Sequence, residues 1–115
     1  MSRYLPAQGS LLKLNLLTIL DREPLYGLEI TRQLKKQYAP YQFQIKHEHV
    51  YKALHELVTE GILYQKKEMK TEMQEIVLYH YTPEGKEKAK AYRKDMKVKL
   101  DRSIGLLQEA VRANY

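Results

Sequence analysis

Apolar residues recur at helical spacing through the first half of the chain, and the period becomes strand-like only after Gly61. Leu11, Leu14, Leu17, Ile19 and Leu20 predict a first helix, with Ser10 read as its N-cap and Asp21-Arg22-Glu23-Pro24 ending it. That helix is apolar on more than one side, so it belongs deep in the core. A second helix, from about Tyr26 to Gln37, turns Leu28, Ile30 and Leu34 inward and Arg32, Lys35 and Lys36 outward, before Tyr38-Ala39-Pro40-Tyr41 breaks it. A third, from about Lys46 to Glu60, places Val50, Leu54, Leu57 and Val58 at i, i+4, i+7 and i+8. This narrow stripe leaves Lys46, His49, Lys52, Ala53 and Glu56 toward solvent. Gly61 is the expected C-terminal residue with positive φ.

Ile62 to Lys67 and Glu75 to Tyr81 read as two antiparallel strands, with a polar tip around Lys70-Thr71-Glu72. Tyr64, Tyr79, Tyr81 and Tyr92 are expected between this sheet and a long last helix. Thr82 is the predicted cap of that helix and Pro83 its first residue; with no later proline it can run about thirty residues, roughly 45 Å. Ala89, Tyr92, Met96, Leu100, Ile104 or Ser103, Leu107 and Val111 follow at alternating spacings of three and four, the seam of a coiled coil. So small a domain cannot cover so long a seam, and a second copy is the simplest partner; the alternative is a helix folded back on its own domain.

The predicted fold class is therefore mainly α with a small β wing: a winged helix-turn-helix plus a long C-terminal dimerisation helix. Residues 1–9, which contain Pro6 and Gly9 and show no period, read as an N-terminal arm. Residues 10–82 form the winged-helix unit and 83–115 the coiled-coil helix.

Composition narrows the class. One ordinary core fits in 115 residues, and 20 Lys+Arg against 14 Asp+Glu give a net charge of +6, which favours an anionic partner. Without cysteine there is no disulfide framework, thiolate nucleophile or thiolate metal site. The apolar run Leu11 to Leu20 is interrupted by Lys13 and Asn15 and lacks a small-residue cleavage pattern, so neither a membrane span nor a signal peptide is predicted. A cytoplasmic, nucleoid-associated protein is expected.

In the winged-helix frame, the third helix offers Lys46, His47, His49, Tyr51 and Lys52 to a duplex groove, and the wing adds Lys66, Lys67 and Lys70. Glu68, Glu72 and Glu75 nearly cancel the charge of the wing. Arg3 in the arm and Lys13 on the first helix are candidate phosphate contacts. Tyr92, Met96, Leu100, Ile104, Leu107 and Val111 are the candidate dimer contacts. His47 and His49, two positions apart on a helix, do not share a face, so no metal site is expected. Neither a phosphate loop, a nucleophile motif nor a carboxylate pair appears, so neither an enzyme nor a cofactor is expected. A small-molecule effector would need a pocket between wing and dimer helix, and no residue cluster points to one.

Leu25-Tyr26-Gly27-Leu28-Glu29-Ile30, Val50 to Leu57, Glu60-Gly61-Ile62-Leu63 and Tyr81-Thr82-Pro83-Glu84-Gly85 together resemble the PadR-type winged-helix regulators, including the cyanobacterial circadian period-extender proteins. Leu63 to Tyr79, including Gln74 to Tyr79, and the tail Lys97 to Arg102 resemble the bacterial replication terminator proteins, nearly to the C-terminus. Either resemblance implies a homodimer that binds double-stranded DNA. The terminator resemblance puts Tyr51 and Lys52 on the recognition helix and Lys66, Lys67 and Lys70 on the wing. The chain departs from PadR proteins at Lys46-His47-Glu48-His49, where a Ser-Pro-Gly-Thr-like start is common, and it lacks their Gly-Arg-rich wing tip. A transcriptional repressor is the leading expectation, because such regulators are the more widespread. Polar replication-fork arrest is the alternative, and a protein-interaction module with an incidental basic surface the second.

Overall fold

Leucine occupies nearly every position from Leu11 to Leu17, so pattern alone cannot set the phase of the first helix; packing does. The computed structural model describes residues 6–115, and in it α1 (Gln8–Arg22) buries Leu12, Leu16, Leu17, Ile19 and Leu20, leaving Leu11 and Leu14 only half-buried. The helix starts before Ser10, with Ala7 as N-cap and no side-chain cap, so Gln8 and Gly9 belong to α1 rather than to an arm. What was expected of the arm before residue 6, including the Arg3 contact, lies outside the described residues.

The remaining elements are β1 (Leu25–Tyr26), α2 (Gly27–Tyr38), a short 3-10 turn (Ala39–Tyr41), α3 (His47–Thr59), β2 (Leu63–Thr71), β3 (Gln74–Tyr81) and α4 (Gly85–Asn114). β1 is too short to show alternation, and it takes in Tyr26, the expected first residue of the second helix. It pairs antiparallel with β3, Leu25 opposite Tyr79 and Tyr26 opposite Leu78, giving a three-stranded sheet of order β1-β3-β2. β2 and β3 form the wing in register from Leu63 opposite Tyr81 to Met69 opposite Glu75, with a bulge between Met69 and Thr71.

α2 buries Gly27, Ile30, Thr31 and Leu34 against the core, but Leu28, expected inward, is 63% exposed. Its inward stripe runs through Gly27 and Thr31 instead, one turn apart. α3 ends as predicted: Gly61 takes φ +77°, and the bonds Gly61 N–H to Val58 O and Ile62 N–H to Leu57 O close the double-bonded turn that a left-handed residue permits.

Thr82 does not cap α4. Its hydroxyl lies 2.6 Å from Gly61 O and donates there, tying the end of α3, while α4 begins only at Gly85. A Cβ on Gly85 would stand 2.2 Å from Ile62 O, so this backbone crossing requires glycine. The tyrosines, too, differ from expectation. Tyr81 and Tyr92 donate to α1 at Leu17 O and Ser10 O, Tyr79 is buried, and Tyr64 is exposed, stacked on His80. They anchor sheet and α4 to α1, with the Arg93–Asp21 ion pair at 2.6 Å beside them. α4 then runs past the domain: the radius of gyration is 16.2 Å, against about 13 Å for a compact chain of this length. Among the described residues no helix is long and apolar enough to cross a membrane.

Candidate nucleic-acid interface

α3 packs Val50, Ala53, Leu54 and Leu57 into the core, which turns Glu48, Tyr51, Lys52 and His55 outward. Ala53 was expected in solvent; it is buried, its small side chain letting α3 lie close to α1. Lys46, the N-cap of α3, is exposed like Lys52. The two ammonium groups make no ion pair among the described residues. They stand on the N-terminal end and the flank of α3.

The two histidines diverge as the spacing implied. His49 turns toward α1, where its Nδ1 is enclosed without a hydrogen-bond partner, and with Gln8, Gly9, Lys52 and Glu56 it lines a cavity of about 350 Å³. It is therefore not on the open face. His47 turns the other way, its Nδ1 2.9 Å from Thr31 Oγ1. Its ring meets the Tyr51 ring edge-on, centroids 4.2 Å apart at 80°. Tyr51 in turn lies over Gly27, whose missing Cβ would fall 2.5 Å from its ring. Burial raises the Tyr51 hydroxyl above the ordinary tyrosine range, so it remains a protonated donor.

Lys13 departs most from expectation. Its Nζ is 2.8 Å from both Glu56 and Glu60, and its side chain is only 13% exposed. Burial works against its charge, yet the bonds to Glu56 and Glu60 prevail and raise its pKa; the bond from Lys13 lowers that of Glu56. A lysine already serving two carboxylates is a clamp between α1 and α3 rather than a phosphate contact. Glu56 is likewise held by that clamp.

The wing lysines separate. Consecutive strand residues point to opposite faces, so Lys66, opposite Leu78, and Lys67, opposite Val77, cannot contact one phosphate run together. Lys66 lies 3.6 Å from Glu68, and Lys70 folds back onto Tyr26, donating to its hydroxyl at 3.2 Å with the ammonium 5.0 Å from the ring centre. Lys67 has no such partner among the described residues.

The expected dimer seam also divides. Tyr92 packs against the protomer's own core, Met96 is 1% exposed and Leu100 half-buried, whereas Ile104, Leu107 and Val111 are exposed together with Val98 and Leu106. Thr31 is the residue that sequence reading missed. A threonine inside the inward stripe Gly27, Ile30, Leu34 was the available signal, since a buried hydroxyl must find a partner.

The sequence matches the family model described as replication terminator protein over residues 3–115. It is similar to the replication termination protein of Bacillus subtilis strain 168, 39% identical over 114 residues, covering 97% of this chain and 92% of the relative. Among solved structures it resembles Bacillus subtilis PadR in complex with operator DNA, with a TM-score of 0.58 at 26% identity over 70% of this chain and 45% of that one. A putative transcriptional regulator from Thermoplasma acidophilum shares the fold, with a TM-score of 0.73 at 19% identity over 87% of this chain and 93% of the other. The fold is thus the winged helix of the PadR-type regulators, while similarity along nearly the whole sequence places the chain in the replication terminator protein family.

Proposed function

We propose that this protein is a homodimer that binds specific double-stranded DNA through α3 and the wing and, so bound, arrests a replication fork from one direction. The similarity to replication termination proteins over 97% of the chain carries this reading. It supports reversing the order reached from sequence, in which repression led. Lys46, His47, Tyr51 and Lys52 are the proposed groove contacts and Lys67 the freest wing contact. Ile104, Leu107 and Val111 are the proposed seam between copies, an apolar strip on a helix that has left its domain. Twofold pairing would set two copies of α3 on successive turns of one duplex, about 34 Å apart.

A helicase-unwinding assay on DNA carrying a bound site in each orientation tests this: unwinding should stop in one orientation only. Equal passage in both by a saturated site would reject fork arrest. Repression remains the second reading, supported by the likeness to PadR, a protein solved on operator DNA. Mapping of bound sites across the genome separates the two, because a repressor occupies promoters and a terminator a replication terminus.

A further inference from the structure

Thr31 is 4% exposed, and its Oγ1 stands 2.9 Å from Gly27 O and 2.9 Å from His47 Nδ1. A hydroxyl has one hydrogen to give and lone pairs with which to accept. Were that hydrogen directed at His47, two oxygen atoms would face each other at 2.9 Å with nothing between them. Directed at Gly27 O, it leaves Oγ1 free to accept from Nδ1–H, and both contacts become hydrogen bonds. Only this arrangement satisfies the pair. The His47 ring therefore carries its hydrogen on Nδ1, and in its neutral form presents Nε2 as a bare acceptor.

That Nε2 has no partner among the described residues and is not enclosed, unlike Nδ1 of His49 and Nε2 of His80. The ring borders an open cleft between α2 and the wing, with Lys35, Lys70 and Gln74 around it. Thr31 and the edge-on Tyr51 ring fix its plane. His47 is the first residue of α3, and N-terminal residues of a recognition helix are those that reach base edges. At a duplex edge an acceptor is matched by the exocyclic amines of cytosine and adenine and opposed by the acceptors O6 and N7 of guanine and O4 of thymine.

We propose that His47 is a specificity-determining acceptor that reads one cytosine or adenine amine, and that buried Thr31 is the positioning residue that sets its tautomer. This rests on the duplex-binding reading above. The lysines at Lys46 and Lys52 supply donors and charge; His47 supplies the opposite polarity and so excludes guanine and thymine at one position.

Two measurements on the full chain test it. Long-range ¹H–¹⁵N correlation spectra of the free protein, recorded above the imidazole titration range, should give the Nδ1–H tautomer for His47. Free imidazole side chains favour the other tautomer. Thr31→Ser should keep the Nδ1–H form, and Thr31→Val should lose it. Selection from a random-sequence duplex pool should show, for the wild type and Thr31→Ser, one position restricted to A or C on one strand by about 5- to 100-fold. In Thr31→Val and His47→Phe that restriction should collapse, with preferences elsewhere in the site retained. An Nε2–H ring in a protein that does select a sequence overturns this proposal alone. So does a profile that Thr31→Val leaves unchanged. A wild type that selects no sequence overturns the duplex reading, and base recognition by His47 with it.

Discussion

Replacing both Ile104 and Leu107 by alanine should dissociate the proposed dimer without unfolding the protomer. The two side chains are 50% and 53% exposed, so each has about half its burial still to gain. Full burial of such a side chain contributes about 1.5–3 kcal/mol, hence about 1 kcal/mol for the remaining half. Twofold symmetry counts each substitution twice, so the pair removes about 3–4 kcal/mol, with alanine keeping a little of the contact. At about 1.4 kcal/mol per decade, the dissociation constant rises roughly 100- to 1,000-fold. Alanine is the best helix former, so the change cannot weaken α4 as a helix, and among the described residues neither side chain contributes to the protomer's own core. Sedimentation equilibrium over a concentration series measures the shift, with helicity by circular dichroism as the control. Lys90→Ala, on an exposed residue 3.6 Å from Glu87, should change nothing. A dissociation constant that moves less than tenfold while α4 stays helical would refute the seam.

Lys52→Ala should weaken duplex binding and lower the slope of log affinity against log salt by about one, with the melting temperature unchanged; an unaltered affinity and slope assign the face wrongly. Gly61→Ala forces a left-handed φ on a residue with a Cβ and should cost about 1–2 kcal/mol, read as a lower denaturant midpoint at constant m-value. Lys13→Met should cost about 1 kcal/mol at neutral pH by releasing Glu56 and Glu60. The pH dependence of that loss has a fixed sign. Glu56 has a folded pKa below its unfolded one, so its contribution is complete above the usual carboxylate range and fades as acid takes the pH through the lower, folded value. Lys13 has a raised pKa, so its contribution is complete below the usual lysine range and fades as alkali passes the folded value. The gap between wild type and Lys13→Met in urea melts should therefore close at both ends of the pH scale; a gap constant to strong acid argues against the clamp.

Periodicity and the residues that break it determined the order of the four helices and the two wing strands, the end of α3 at Gly61, and the reach of a last helix beyond its domain. These are local properties: a repeat of 3.6 or 2, a positive φ that favours glycine, a helix with no proline to stop it. Phase and partnership were not local. Leu12 rather than Leu11 entered the core because the run of leucines permits either, and only packing against α3 chooses. β1 exists because β3 lies beside it, and two residues carry no pattern of their own. Charge was the least legible, since a lysine's role depends on what lies within about 4 Å: Lys13 meets two carboxylates, Lys70 a tyrosine, and Lys52 none. The Thr31–His47 bond joins residues 16 apart on two helices. The sequence placed a histidine at the start of α3, but only the crossing of α2 and α3 decided which of its nitrogens faces outward.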